Sequence, residues 1–214
     1  IPSDAGLECV IYAGLASKEA DAATKAALMQ KANEKLAVVK AAKDDTLDWD
    51  SEFAKASSGA AELQAKADAG PSNDNIVALK KQVAANKEDT TALFNLAMAY
   101  QEVSNWDGAA LTWQKMNDLL PTWEPAYYSK GYALQQAGYK ELAAVAFQKY
   151  IDVALTKTPA EQQALQETLF GAYYSVAYLL HTTDKVKANE ALQKALAMKP
   201  NDKNSLLLQK ELMK

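Results

Sequence analysis

The chain has 214 residues, which is long enough to bury a sizeable core. Hydrophobic residues make up 49% and charged residues 23%, the balance of a folded protein rather than a disordered one. The net charge is −4 and all 23 basic residues are lysine, so the bidentate guanidinium contacts that read phosphates and guanine are missing. This composition argues against a sequence-specific nucleic-acid-binding protein. Abundant alanine, with only 8 glycines and 6 prolines, predicts helix almost throughout.

Two features bear on membranes and compartment. No apolar run approaches the roughly 20 residues that cross a bilayer, so we expect no membrane insertion. The sequence begins at Ile1-Pro2 without methionine, which we interpret as removal of a signal peptide. We therefore expect an exported, periplasmic protein of bacterial origin, with the cytoplasm as the alternative.

Residues 1–89 are predicted to form an N-terminal helical region. Apolar residues recur there at steps of three and four, as they do on one face of a helix. Gly70-Pro71 is expected to end one helix, and Ser72-Asn73 to cap the next. Two arrangements fit this pattern equally well, a separate helical bundle and degenerate copies of the repeats that follow. The apolar residues are Leu7, Val10, Ile11, Leu15, Leu28, Ala32, Leu36, Val39, Trp49, Phe53, Ala56, Ala60, Leu63, Ile76, Leu79 and Val83.

An acidic run and a single cysteine are the chemical candidates in this region. The run lacks the glycine that a calcium loop needs for its turn, so we interpret it as a helix start whose acids complement the helix dipole. Cys9 has no second cysteine to pair with and lies beside Val10, which predicts a buried, inert thiol. We therefore expect no metal site. The acidic run consists of Asp44, Asp45, Asp48, Asp50 and Glu52.

A spacing recurs three times between residues 90 and 202. A small residue precedes a large apolar residue by four positions, which is one turn on the same helix face. Twelve residues before each small residue lies another member of the set, and eight residues after two of the large ones comes a proline. The three sets are Ala97, Ala109, Trp113 and Pro121; Gly131, Ala143 and Phe147; and Val176, Ala188, Leu192 and Pro200.

This spacing predicts helix hairpins. The first helix of each hairpin approaches its partner closely at the small residue, and the second helix returns with a large side chain that fills the crossing. Proline then ends the second helix, because it cannot donate to the helix ladder. Each hairpin leaves an apolar face uncovered, so successive hairpins should stack into a solenoid.

The pattern resembles the tetratricopeptide repeat (TPR), whose unit of about 34 residues equals the distance from Ala109 to Ala143. The resemblance covers residues 90–202 and implies an all-α fold, a right-handed solenoid of helix hairpins preceded by the N-terminal region. It places the three motifs at 90–123, 124–158 and 159–202, with a capping helix at 203–214. Further residues that match the motif are Leu93, Leu96, Tyr100, Trp106, Met116, Tyr127, Leu134, Gly138, Ala172, Leu179 and Ala195.

The third repeat departs from the regular spacing. The distance from Ala143 to Ala188 exceeds one unit by about 11 residues, which is close to three whole turns of helix. We therefore expect the second helix of the second repeat to run to about Leu155, and the next helix to begin near Ala160 with Pro159 at its entry. In the capping helix, lysines and a glutamate are expected to face solvent.

The residues argue against an enzyme. His181 is the only histidine, so neither a histidine metal cluster nor a histidine-based triad can be assembled, and we place it at the end of a helix. There is also no nucleotide-binding loop and no nucleophile elbow. We predict no catalytic residues and no cofactor.

In the TPR family the first helices of the hairpins line a concave groove that holds peptides or helices. The resemblance therefore implies a partner-binding groove. Its residues are aromatic rather than cationic, which favours an apolar or amphipathic segment over a charged C-terminus. The groove residues implied are Phe94, Met98, Gln101, Tyr128, Tyr132, Gln135, Tyr173 and Ala177.

The function predicted from this resemblance is a protein-binding scaffold or adaptor. The alternative is a structural subunit of a larger envelope complex, held through its outer faces or its N-terminal helices. A protein or peptide is the expected partner in both cases, and self-association of the chain is compatible with either.

Overall fold

The computed structural model describes residues 4–16, 22–44, 46, 49 and 64–213. The chain divides into two compact units, Ile1–Ala69 and Gly70–Lys214. The division falls before residue 89, where the sequence had placed the end of the N-terminal region. Each unit is described by itself.

The first unit contains helices α1 (Asp4–Ala16) and α2 (Ala22–Ala41), which pack against each other. Gly6 allows a close approach here, because a Cβ atom at this position would overlap the indole ring of Trp49. Cys9 is fully buried, as predicted for an inert thiol. Lys35 pairs with Glu8 across the two helices. Residues 64–69 are also helical.

The second unit is an all-α solenoid in which helices stack in chain order. A search of the described residues finds no helix that is both long and apolar enough to span a bilayer. The helices are α3 (Asp74–Ala85), α4 (Thr90–Glu102), α5 (Trp106–Leu119), α6 (Glu124–Gln136), α7 (Lys140–Leu155), α8 (Pro159–Ala164), α9 (Gln166–Leu180), α10 (Lys185–Met198) and α11 (Lys203–Leu212).

Helix α3 joins the repeats rather than the N-terminal unit. The Asn73 side chain caps it by accepting from the backbone N–H of Ile76 at 2.9 Å. Its buried residues, Ile76, Leu79 and Val83, belong to the same core as the hairpins, and α3 packs on α4. The structure therefore differs from the expected boundary at residue 89 for this helix, because the first hairpin covers its apolar face.

The small and large residues of the repeated template lie at the helix crossings. Ala97, Ala109 and Trp113 are buried in the first hairpin, and Ala143 and Phe147 in the second. A Cβ atom on Gly131 would lie 3.0 Å from the Phe147 ring, which is closer than ordinary van der Waals contact. The close crossing that the spacing predicted at Gly131 and Phe147 is therefore present.

Two features accommodate the additional length of the third repeat. Helix α7 ends at Leu155, as expected, and the following helix begins at Pro159. The helix that begins at Pro159 is short: α8 ends at Ala164, and a separate helix, α9, begins at Gln166. A capping box fixes the start of α8, because the side chains of Thr158 and Glu161 each accept a hydrogen bond from the other residue's backbone N–H.

The turns of the first two hairpins share one backbone conformation, and the turn of the third hairpin differs. Ser104 and Gly138, one repeat unit apart, both adopt positive φ, of 59° and 90°. The residue after each donates its N–H to a carbonyl five residues back, from Asn105 to Tyr100 and from Tyr139 to Leu134. The corresponding residue of the third hairpin is β-branched Thr183, a residue type that rarely adopts positive φ. There the donor is Asp184, and its acceptor, Leu180, is only four residues back.

We call the packing of α5 on α6 the first joint and the packing of α7 on α9 the second joint. Eight residues after the small residue of each second helix, α5 carries Asn117 and α7 carries Ile151. Asn117 is 3% exposed, and neither of its side-chain polar atoms has a hydrogen-bond partner among the described residues. The Nε1 atom of Trp113, one turn earlier, is also buried without a partner in that part of the chain.

Ionisable and polar groups cross the first joint as well. The Lys130 ammonium of α6 donates to the Gln114 side chain of α5, and burial lowers the pKa of Lys130 to about 8. Next to this joint, the hydroxyl of Tyr139, the N-cap residue of α7, donates to the Asp107 carboxylate of α5 at 2.9 Å. The buried residues of α7 and α9, the helices of the second joint, are mainly apolar, among them Ile151, Ala154, Leu169, Ala172 and Val176. Helix α7 also buries the hydroxyl of Tyr150.

Helix α11 closes the described part of the second unit. Its N-cap is Asp202, which accepts from the backbone N–H of Ser205 at 2.8 Å. Lys203, Lys210 and Glu211 are exposed, as expected for a solvated end. The helix also leaves large apolar side chains in solvent, which the sequence reading did not foresee. These are Leu206, Leu207 and, at its C-cap, Met213.

Candidate functional site

The first helices of the three hairpins, α4, α6 and α9, carry little charge. Glu102 is the sole ionisable acid or base in α4, Glu124 and Lys130 are those of α6, and Glu167 is that of α9. Glu124 already pairs with Lys157 at 2.9 Å, and Lys130 with Gln114. A surface formed by these helices therefore has few charges with which to hold a charged ligand.

Helix α4 presents two large apolar side chains, one turn apart. Phe94 is 39% exposed and Met98 is 40% exposed. The Phe94 ring packs edge-on against Trp113, with 5.6 Å between ring centroids, and against Trp123 at 6.3 Å. One side of the Phe94 ring is therefore anchored in the core while the other remains accessible.

The equivalent residues of α6 differ from each other in burial. Tyr132 is 44% exposed and touches Trp106 edge-on at 5.7 Å. Tyr128 is half-buried, with the rings of Phe147 and Tyr150 both at 5.2 Å, and its burial raises the pKa of the hydroxyl. Tyr132 is available to a partner, whereas much of Tyr128 packs within its own hairpin.

The remaining predicted groove residues are less accessible. Gln101, Gln135 and Tyr173 are half-buried. Ala177 is fully buried and offers no surface to a partner. Its inclusion among groove residues is therefore corrected, because the short alanine side chain lies inside the packed core of α9. Of the predicted groove residues, Phe94, Met98 and Tyr132 are exposed, and the others apart from Ala177 are half-buried.

A depression between α3 and α4 adjoins this exposed group. It has a volume of about 280 Å³, and Phe94 and Met98 form part of its wall. Asn75 and Leu79 of α3 also line it, and neither was among the predicted site residues. The pattern of α3 was visible in the sequence, but one amphipathic helix does not reveal which neighbour covers its face.

The other chemical candidates do not form a site. The acidic run 44–52 lies mostly outside the described residues; within them, Asp44 accepts from the Thr46 backbone N–H at 3.1 Å. His181 caps the C-terminus of α9, with its Nδ1 atom 2.6 Å from the Tyr178 carbonyl. Over the described part of the chain, no group of three or more histidine, cysteine, aspartate or glutamate residues is arranged to hold a metal ion.

The stacked hairpins have the fold of a TPR-like helical-repeat protein. Neither a protein-family model nor a curated protein sequence matches the chain. A similar solved structure is the C-terminal part of a TPR repeat-containing protein from Cytophaga hutchinsonii. It is 20% identical with a TM-score of 0.53, and the match covers 86% of this chain and 68% of that one. MamA is 22% identical with a TM-score of 0.48, over 64% of this chain and 84% of its own.

Proposed function

We propose that residues 70–214 act as a protein-binding scaffold that holds an apolar or amphipathic segment against the first helices of the hairpins. The observation that carries this proposal is the exposure of Phe94, Met98 and Tyr132 on two weakly charged helices, with Met98 and Tyr132 at equivalent positions. Side chains of this size gain free energy when a partner removes them from water.

The chemistry of these residues favours an apolar partner. Tyrosine supplies a large contact area at a low cost in conformational entropy, and methionine adapts to partners of different shape. A carboxylate clamp would need free cations on the same helices. Lys130, the one lysine of α4, α6 and α9, is engaged by Gln114 and half-buried. We therefore expect apolar contacts rather than ion pairs to supply most of the binding free energy.

The test uses a double substitution at exposed positions. Met98→Ser with Tyr132→Ser should reduce capture of specific partners from the native source by about tenfold or more, since two anchoring side chains are removed. Capture followed by quantitative mass spectrometry measures this. Tyr128 is less suitable than Met98, because its ring packs on Phe147 and Tyr150 and its loss would also affect folding.

The matched control is a pair of exposed apolar residues outside α4, α6 and α9, Leu155→Ser with Val186→Ser. We expect the control to retain the partners and both double variants to keep the melting temperature of the wild type. Equal capture by the wild type and the Met98/Tyr132 variant would overturn the proposal.

A second candidate function is a structural subunit of a larger complex in the cell envelope. The observation that favours it is the apolar surface of α11, where Leu207 is 59% and Met213 76% exposed. Such a surface at the end of a solenoid can dock on another protein or another copy of the chain. Leu207→Lys with Met213→Lys should then reduce the size of the native complex in size-exclusion chromatography, while capture through Met98 and Tyr132 is unaffected.

A further inference from the structure

The depression between α3 and α4 has two chemically different parts. Its apolar part is formed by Leu79, which is buried, and by the exposed Phe94 and Met98. Its polar part is formed by Asn75, Asn95 and Glu102. All three polar residues are exposed, so their side chains can reach a molecule that enters from solvent.

Within the described residues, the polar side chains of the depression are not engaged in hydrogen bonds or ion pairs. Neither amide has a hydrogen-bond partner within the described residues, and Glu102 has no ion-pair partner there. The helices do not use them as caps either, because Asn73 caps α3 and Asp89 caps α4. Asn95 lies inside α4, where asparagine is a poor helix former, and its side chain faces solvent.

The depression is negatively charged. Of the described residues that line it, only Glu102 is ionisable. The lysines of α3 that could have neutralised it, Lys80 and Lys81, line a separate shallow surface together with Val77 and Ala84. A cationic group that enters the depression therefore meets one carboxylate and no competing ammonium among its lining residues.

We propose that this depression binds a lysine or arginine side chain carried by a partner segment. The aliphatic stem of such a side chain packs on Leu79 and Met98, and its cationic head reaches Glu102. The exposed face of Phe94 adds a cation–π contact, and the amides of Asn75 and Asn95 pair with the backbone of the segment. This inference rests on the proposed scaffold function and gives its partner a basic residue next to an apolar one.

Synthetic peptides with blocked ends test the inference, since blocking removes terminal charges. The probe is a pentapeptide with a central arginine between two leucines, and its control carries citrulline, the neutral isostere of arginine. Binding is followed through the methyl resonance of Met98, assigned with a Met98→Leu variant. We expect the arginine peptide to bind about tenfold more tightly than the citrulline peptide, and added salt to reduce this difference.

Glu102→Gln is the decisive variant. It should abolish the preference for arginine and leave the melting temperature unchanged, because Glu102 is exposed. Glu141→Gln on α7, another exposed acid, should preserve the preference. Equal binding of the two peptides to the wild type, a preference that persists in Glu102→Gln, or no shift of the Met98 methyl at millimolar peptide would each overturn the inference. Partner capture that still depends on Met98 and Tyr132 would leave the scaffold function standing in those cases.

Discussion

Helices α5 and α7, which belong to the first and the second joint, bury different chemistry at the same position of the repeat. Where α5 buries Asn117, α7 buries Ile151. An amide without a hydrogen-bond partner destabilises a core, whereas a well-packed aliphatic side chain stabilises it. The stability of a solenoid is close to a sum of its repeats and the interfaces between them, so the first joint is expected to be the weaker link.

Ile151→Asn introduces into α7 the residue that α5 has at the same position of the repeat. It removes apolar contacts and leaves an amide in a mainly apolar interior, so it should lower the free energy of unfolding by about 3 kcal/mol. Denaturant unfolding measures this change. Lys149→Asn, an exposed position on the same helix, controls for the poor helix propensity of asparagine and should cost below about 1 kcal/mol. Equal losses for the two variants would contradict the comparison.

Asn117→Leu is the reciprocal change. It places at the first joint the residue that the third repeat has at the same position, Leu196, and should raise the free energy of unfolding by about 1–2 kcal/mol. Hydrogen exchange of the α4 and α5 amides should slow together with this gain. Asn117→Ala removes the amide without filling the space, so its free energy of unfolding should be lower than that of the leucine variant. A destabilised leucine variant would mean that Asn117 has a favourable role in the joint.

Lys130 gives the first joint a pH dependence of its own. Burial lowers its pKa to about 8 from 10.5, so between these values the unfolded chain binds more protons than the native chain. Stability therefore rises with pH in this window, and the penalty for burying the charged ammonium is greatest below it.

Comparison with Lys130→Met isolates this effect. From about pH 7.5 to about pH 9.5 the wild type should gain about 1 kcal/mol relative to the variant, after allowance for the partial exposure of the side chain. The raised pKa values of neighbouring tyrosines act in both proteins and cancel in the difference. Denaturant titrations across the range measure it, with the exposed Lys149→Met as control. A difference that does not change with pH would contradict this assignment.

The hairpins could be predicted from the sequence because close helix crossings need specific residue sizes. Gly131 and Phe147 mark a crossing by their spacing alone, and Leu155 and Pro159 mark where one hairpin ends and the next begins. The break at Leu165 could not be foreseen, because the apolar period continues through it. The polar residue Asn117 could be recognised in the sequence only by comparison with the other two repeats, which carry Ile151 and Leu196 at the same position.

The candidate site was predicted only in part. The resemblance to the TPR placed Phe94, Met98 and Tyr132 on the first helices of the hairpins, and all three are exposed. Register does not report how deeply a face is buried, so it also included Ala177. The contribution of α3 was missed because Asn75 and Leu79 enter the site from outside the recognised repeats, and no spacing links them to α4.

The turns at Ser104 and Gly138 have a practical consequence for protein engineering. Both hairpins place a residue with left-handed φ at the same position, Ser104 in one and Gly138 in the other, so the two turns are one backbone module although their side chains differ. Glycine at position 104 would therefore relieve the steric strain of a side chain at positive φ. The third hairpin, with Thr183 at that place, belongs to another module, and a longer designed array would copy either of the first two.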